Sequence, residues 1–319
     1  MKTSCIIPTL NRPDDLRRAL ASIVANTKHP DEVIIVEQGD VDATRRVAGA
    51  FVQLNIRVLF QEEKSLTKAR NRGVAESDGG LLLFLDDDVE VGPRYIENVR
   101  KYFLAHPDVL GITGKDTGHV RTRTGIVRFV RRSVGVLFCR SAFFGVSRIL
   151  RSGHNVLQNY RDREEVVEWL PGCASSWRAD IFKEGLRFDE RLIGWCFGED
   201  VMFSYTVHKK YPGSLRYVPQ VRFTHNASLA SRTPNEQKIR METLYRFLFW
   251  REQVYNGSLL NSVRFIWSQA GAALLTLASS PHAETARTLW HAYRFLLSHA
   301  RTSPVRIVDW NHFIQHGTA

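Results

Sequence analysis

Leu81-Leu82-Leu83-Phe84-Leu85-Asp86-Asp87-Asp88 decides how the rest of this 319-residue chain is read. Five consecutive apolar residues have the look of a strand covered on both faces, as in a parallel sheet with helices on either side. Three carboxylates follow without a break. Mutually repelling charges beside a buried strand cost stability unless something neutralises them, and a divalent cation does so. The plainer alternative is an N-capping Asp with two solvated neighbours, opening the next helix at Gly92-Pro93.

Upstream of that stretch, short apolar runs alternate with helix-period segments. Ser4-Cys5-Ile6-Ile7 precedes a helix expected from Pro13 to Asn26, with Leu16, Leu20, Ile23 and Val24 on one face. Pro13 suits a helix start, and Asp14 and Asp15 suit its first turn. Val33 to Val36, a helix over Asp42 to Gln53, Ile56 to Phe60 and a helix over Thr67 to Glu76 complete the series. This alternation predicts an α/β fold with a mostly parallel, doubly wound sheet. Ligands in such sheets bind beyond the carboxyl ends of the strands. The residues to inspect are therefore Pro8-Thr9-Leu10-Asn11-Arg12, Glu37-Gln38-Gly39-Asp40 and the Asp triplet.

Downstream, Val166 to Gly172 reads as a strand and turn, and Arg178 to Glu184 as a helical segment. Gly198-Glu199-Asp200 opens a helix ending near Tyr211-Pro212. Carboxylates there either complement the helix dipole or do chemistry. Leu215 to Pro219 and Val221 to Thr224 read as late strands, the second ending at His225, a satisfied polar residue or a ligand. From Asn235 onward the periodicity is helical only, which predicts a C-terminal helical extension.

Composition narrows the classes. Hydrophobic residues at 44% are enough for a substantial core, which excludes disorder as the whole answer. Cys5, Cys139, Cys173 and Cys196 form no CxxC pair, so zinc ribbons and thioredoxin-like motifs are excluded and reduced cytoplasmic thiols are expected. The first apolar run stops at Pro8, too early for a secretory signal. Phe265 to Ala278 contains Gln269 and is shorter than the roughly 20 residues that span a bilayer. A cytoplasmic protein is expected, soluble or peripheral at the inner face of the cell membrane.

The net charge of +11 calls for an anionic partner. Much of it is local: between Asp116 and Asp162 there is no acidic residue but nine arginines, at 121, 123, 128, 131, 132, 140, 148, 151 and 161. Interleaved with Phe129, Val130, Phe138, Phe143 and Phe144, they suit contact with an anionic membrane or a lipid-diphosphate acceptor. The alternative is an insertion that packs its apolar residues inside and leaves its arginines solvated. A basic nucleic-acid-binding protein is the less favoured alternative, and no nucleic-acid partner is expected: no helix-turn-helix, zinc-finger or RNP signature is present, and such a partner leaves the Asp triplet unexplained.

The segments IIPTLNR, VIIVEQGDVD, LTKARNRGVAESDGGLLLFLDDDVEVGP, WLPGCASSWRADIF, LRFDERL and GED, spread over about residues 3–225, together resemble the inverting family 2 nucleotide-sugar glycosyltransferases of GT-A fold. The resemblance implies a GT-A domain over 1–234, comprising a donor half (1–115), a basic acceptor or membrane segment (116–162) and an acceptor and catalytic half (163–234), then a helical region over 235–319. It implies a UDP-, GDP- or dTDP-linked sugar donor and an acceptor hydroxyl on a lipid-linked or growing surface glycan.

It further implies Mn²⁺ or Mg²⁺ on Asp88, with Asp86 or Asp87 near the ribose. His225 falls where some GT-A enzymes place a metal-binding His. Pro8, Thr9, Asn11 and Arg12 would line the nucleotide pocket, Glu37 would meet the base, and Arg70 and Asn71 would flank it. Asp200 takes the position of the general base, and Glu199 that of a residue positioning the acceptor or its loop. Trp169 and Trp195 either stack on sugar rings or serve the core. Glu37-Gln38-Gly39-Asp40 departs from the common Asp-Asp-Gly-Ser pattern, which keeps an inactive GT-A-like scaffold as the other reading. The QxxRW motif of processive synthases is absent, so addition of one or a few sugars is expected.

Overall fold

Leu81–Leu85 (β4) lies within a nine-stranded sheet and is buried along its whole length. The computed structural model describes residues 1–118, 132–142, 147–156, 162–228, 230, 233–299 and 307–317. Its other sheet strands are β1 (Thr3–Thr9), β2 (Glu32–Glu37), β3 (Ile56–Phe60), β5 (Val89–Val91), β6 (Gly111–Asp116), β9 (Glu165–Val166), β10 (Ala174–Arg178) and β11 (Leu215–His225). β7 (Arg148–Ile149) and β8 (Asn155–Val156) form a separate hairpin.

The sheet order is β3-β2-β1-β4-β10-β6-β11-β5, with β9 also paired to β11. β3, β2, β1 and β4 are parallel, as are β6 and β11, while β10, β5 and β9 run against their neighbours. The sheet is mixed but mostly parallel, with helices on its faces. Alternation along each strand feeds two core layers. Ile7, Leu81, Leu83 and Leu85 join Leu16, Leu20 and Ile23 of the Pro13–Val24 helix. Ile6, Leu82 and Phe84 join Trp177, Phe182, Phe188 and Phe203.

Two elements differ from the sequence expectation. The strand expected over Val166 to Gly172 is reduced to two residues, and the long strand is Ala174–Arg178, between β4 and β6. Ala-Ser-Ser-Trp-Arg carries no apolar run, but hydrogen bonds help hold it inside the sheet: Thr113 Oγ1 donates to Ala174 O (2.8 Å) and Trp177 Nε1 to Ser175 Oγ (3.0 Å). The two late strands are one, Leu215–His225, whose register with β6 shifts between Val218 and Arg222. Pro219, which cannot donate to a ladder, sits in that irregularity.

The chain divides into two compact units: Met1–Arg123, Leu157–Glu190 and Glu199–Arg232, which hold the nine-stranded sheet, and Thr124–Val156, Arg191–Gly198 and Thr233–Ala319. The second is built on the Asn235–Phe249 helix, which runs into a π-helical turn over Trp250–Val254. The helices Leu259–Ser279, Ala283–His299 and Ile307–His316 follow, with a short helix over 132–137. Aromatic contacts knit its core, Trp250 on Phe265 (4.4 Å between centroids) and Phe295 on Phe313 (4.2 Å). Gly271 lets the long helix approach the 132–142 segment, since a Cβ there would lie 2.3 Å from Phe138. Of the nine arginines, 121, 123, 128, 131 and 161 lie outside the described residues. No helix among the described residues is long and apolar enough to cross a membrane.

Candidate functional site

The carboxyl end of β4 delivers the Asp triplet into a network drawn from the whole first unit. Asp87 points back under β1: its Oδ2 accepts from Thr9 Oγ1 (2.7 Å) and its Oδ1 from Arg12 Nη1 (3.2 Å). Burial pushes its carboxyl up to about 7, with Arg12 and Thr9 opposing. Arg12 is held in turn by Ala230 O (3.0 Å).

Asp88 faces the segment after β11. Its Oδ2 accepts from Ser228 N–H (2.8 Å), and its Oδ1 lies 3.1 Å from His225 Nε2. Burial works against its charge, but His225, the Ser228 N–H and Arg12 outweigh burial and hold the carboxyl below its ordinary range. For His225, burial likewise opposes the charged form, yet Asp88 and Cys173 push its pKa up to about 11. Asp116 Oδ1 accepts from the backbone N–H of His225 (3.3 Å) and of Gly118 (2.9 Å), which fixes the end of β11 against β6.

Asp86 turns the other way, accepting from Arg70 Nη2 (3.0 Å) while its N–H donates to Cys173 O (2.9 Å). Arg70, fully buried, also donates from Nη1 to Glu199 and from Nη2 to Gly172 O (3.1 Å). Asp200, the next residue, accepts from Gly172 N–H on Oδ2 (2.9 Å) and from Val201 N–H on Oδ1 (2.8 Å). Gly172 must lack a side chain, because a Cβ would lie 2.9 Å from both Arg70 Nη2 and Glu199 Oε1. Burial raises the pKa of Asp200 despite these donors. Burial and the neighbouring Asp200 charge raise that of Glu199 well above the ordinary value, against the pull of Arg70.

The remaining residues singled out from sequence hold loops. Pro8 is opposite Val36 in the β1/β2 ladder. Glu37 is wholly buried, accepting from Asn11 N–H (3.1 Å) and Thr44 Oγ1 (2.6 Å). Asn11 adopts φ 55°, a conformation Asn tolerates, and its Oδ1 accepts from Asp40 N–H (2.7 Å) over Gly39. The Asn71 amide is spent on Phe188 and Glu190. Trp169 is buried, whereas Trp195, in the second unit, is half exposed with Lys238 Nζ 5.3 Å from its ring centre. Sequence reading missed Gly172, Cys173, Asp116 and Ser228, most of which act through backbone groups.

Asp86, Asp88 and His225 each offer a ligand atom within 4.8 Å of the others. Two carboxylate oxygens and an imidazole nitrogen suit a divalent ion such as Mn²⁺. Asp88 Oδ1 is buried, and its neighbour at 3.1 Å is the His225 ring nitrogen, a group that would serve the same ion. The residues fit a metal.

A mostly parallel sheet flanked by helices, with a carboxylate triplet beyond its central strand, defines the GT-A fold. Residues 4–167 match the family "Glycosyl transferase family 2", and the chain belongs to that family. Among curated proteins it is similar to validoxylamine A glucosyltransferase of Streptomyces hygroscopicus subsp. limoneus, 37% identical over 101 residues, which is 30% of this chain and 22% of that one. The match to glycosyltransferase GlyA of Streptococcus pneumoniae serotype 4 spans 15% of that protein, so the chain covers less than a quarter of either relative. Among solved structures it resembles S. aureus TarS 1-349 in complex with UDP-GlcNAc (TM-score 0.60, 16% identity, 99% of this chain and 87% of that one). It also resembles the mannosyltransferase PcManGT of Pyrobaculum calidifontis in complex with GDP-Man and Mn²⁺ (TM-score 0.55, 14% identity, 100% and 88%).

Proposed function

We propose that this chain is an inverting, metal-dependent glycosyltransferase that moves a sugar from a nucleoside diphosphate to an acceptor hydroxyl. The observation that carries this reading is the convergence of Asp86, Asp88 and His225 at the carboxyl edge of a family 2 sheet. Neighbours of the same fold bind UDP-GlcNAc, or GDP-Man with Mn²⁺, which favours a nucleotide sugar and, of the two candidate ions, Mn²⁺ over Mg²⁺. Bound there, the ion would act as a Lewis acid toward the diphosphate leaving group.

The protein's own groups divide the remaining work. Thr9 and Arg12 fix Asp87 at the nucleotide end. Glu199 and Arg70 hold the start of the Glu199–Lys210 helix, and Gly172 and Val201 aim the Asp200 carboxylate. In the reaction the acceptor oxygen bonds to the anomeric carbon as the bond to the diphosphate oxygen breaks. The hydroxyl proton passes to Asp200. A base whose pKa is raised from the ordinary carboxylate value works closer to neutral pH. Titration of UDP, GDP and dTDP in calorimetry, with and without Mn²⁺, tests the reading; no metal-dependent nucleotide binding would remove it.

We further propose an anionic membrane surface as partner of the second unit. Sixteen Lys and Arg against five Asp and Glu fall there, the whole +11, whereas the first unit has 28 of each. The Leu259–Ser279 helix is inside out. Asn261, Ser268, Gln269 and Gly271 are among its buried residues, while Leu260, Val263, Ile266 and Leu274 are each more than half exposed. Such a face, with Arg264 as the helix's single charged residue, suits a helix lying in the headgroup boundary.

A further inference from the structure

Arg140 and Arg246 lie with His154 in the second unit, and neither arginine has an ion-pair partner among the described residues. Arg246 lies with its guanidinium 5.0 Å from the ring centre of Phe197, and its Nη1 is 2.9 Å from His154 Nδ1. Because arginine can only donate, His154 Nδ1 is the acceptor in that bond. A neutral imidazole must then carry its proton on Nε2. That Nε2 is buried and has no partner among the described residues, and the same is true of Arg140 Nη1. Two N–H donors are thus unspent in one cluster, on residues 140 and 154.

No carboxylate pairs directly with either arginine among the described residues. Glu242 is the carboxylate whose charge reaches both arginines, but it forms no ion pair with either among the described residues and lies 3.9 Å from Lys238. The stretch that carries Arg140 and His154 cannot supply one, since no Asp or Glu occurs between Asp116 and Asp162. Tyr293, the remaining titratable neighbour, directs its hydroxyl to Gln269 O (3.1 Å).

The strain of this arrangement is visible in its acid–base chemistry. Burial and the Arg140 charge lower Arg246 to about 10, and burial lowers Arg140. Burial, Arg246 and Arg140 hold His154 neutral, well below the ordinary histidine range. Unpaired buried cations destabilise a fold, and a ligand anion removes that penalty.

We infer that Arg140, Arg246 and His154 form a binding site for a phosphate group, either a phosphomonoester or one end of a diphosphate. Guanidinium forks match phosphate oxygens in shape and charge, and the His154 Nε2–H supplies a neutral donor beside them. The site is separate from the Asp86, Asp88 and His225 cluster, which attracts phosphate only through a cation. Its phosphate comes either from a soluble phosphate compound or from a lipid headgroup, and the two are distinguished by experiment.

Differential scanning calorimetry of the full chain provides the test, in phosphate-free buffer and then with inorganic phosphate or pyrophosphate at constant ionic strength. Phosphate or pyrophosphate should raise Tm in a saturable way, and chloride should not. Arg140→Met should weaken that response ~10- to 100-fold, the loss of a charge-assisted hydrogen bond, yet raise Tm in phosphate-free buffer by removing a partly buried cation whose Nη1 has no partner among the described residues. A structural role for Arg140 gives the opposite sign in phosphate-free buffer. NMR of the His154 ring provides a second readout: Nε2–H should shift with phosphate in the wild type and not in Arg140→Met. Vesicles of phosphatidylcholine with and without phosphatidic acid then separate the sources, a shift with phosphatidic acid assigning a lipid phosphate and a shift with soluble phosphate alone assigning a free one. No response to any phosphate, or an unchanged response in Arg140→Met, overturns the site.

Discussion

Arg70 and Glu199 form an ion pair with both side chains almost wholly buried, tying the Leu66–Ala75 helix to the first turn of the Glu199–Lys210 helix. The same guanidinium reaches Asp86, so one cation stands between the triplet and the Glu199-Asp200 pair.

Removing that cation leaves buried carboxylates uncompensated. Arg70→Met should destabilise the protein by ~3–5 kcal/mol, the usual cost of breaking a buried pair from one side. The double variant Arg70→Met with Glu199→Met should recover part of the loss. Urea unfolding of the three proteins measures this, and additive effects would mean that the two side chains do not interact.

Asp200→Asn should lower kcat by roughly 10²–10⁴-fold, the range for a lost general base, with the unfolding midpoint and nucleotide affinity little changed. The pH dependence has a definite sign. A base acts when deprotonated, and burial raises the pKa of Asp200 above its ordinary 3.8. Activity should therefore hold at higher pH and fall as pH drops through the raised value. An acidic limb of kcat/KM at or below 3.8 would take the role away from Asp200.

Asp88→Asn and His225→Gln should each weaken Mn²⁺ binding in the presence of UDP, read by electron paramagnetic resonance of the free ion. Asp86→Asn, which also frees Arg70, should do so with an added loss of stability. Wild-type Mn²⁺ affinity in Asp88→Asn would exclude the site.

His154 links stability to pH in the second unit. Its folded pKa is depressed below the ordinary 6.5 by burial, Arg246 and Arg140. The unfolded chain takes up a proton first, so stability is retained above pH 6.5 and lost as pH falls below it. In phosphate-free buffer, His154→Gln should show a shallower loss of urea midpoint between neutral and mildly acidic pH than the wild type.

For the helix that carries its leucines outward, sedimentation with vesicles is the direct measurement. Binding to phosphatidylglycerol vesicles should exceed binding to phosphatidylcholine and fall with salt, since exposed basic charge is screened. The pair Ile266→Asp and Leu274→Asp should abolish it. Equal recovery with neutral and anionic lipids would rule out the anionic surface.

The sheet was legible because Leu81 to Leu85 and Val33 to Val36 are uninterrupted apolar runs, and β4 and the Asp triplet fall where the pattern places them. Ala174–Arg178 was not, because its burial depends on hydroxyl hydrogen bonds to strands far off in sequence. At the site, residue types could be read but not their directions. Asp87 turns to Thr9, Asp88 to Ser228 and Asp86 to Arg70, three orientations set by partners up to 140 residues away. Glu37 is the instructive case: a carboxylate at the end of β2 reads as open to a ligand, yet both its oxygens are spent on Asn11 and Thr44.

The N–H of Gly172 serves Asp200 and its carbonyl serves Arg70, so that carboxylate and that guanidinium are spaced by a single main-chain residue. Side chains hop between rotamers on several torsions, whereas the distance from an amide nitrogen to the carbonyl oxygen of the same residue varies with one torsion alone, ψ. The alignment of Asp200 with Arg70 is in that respect set by the main chain at residue 172 and not by a side-chain rotamer.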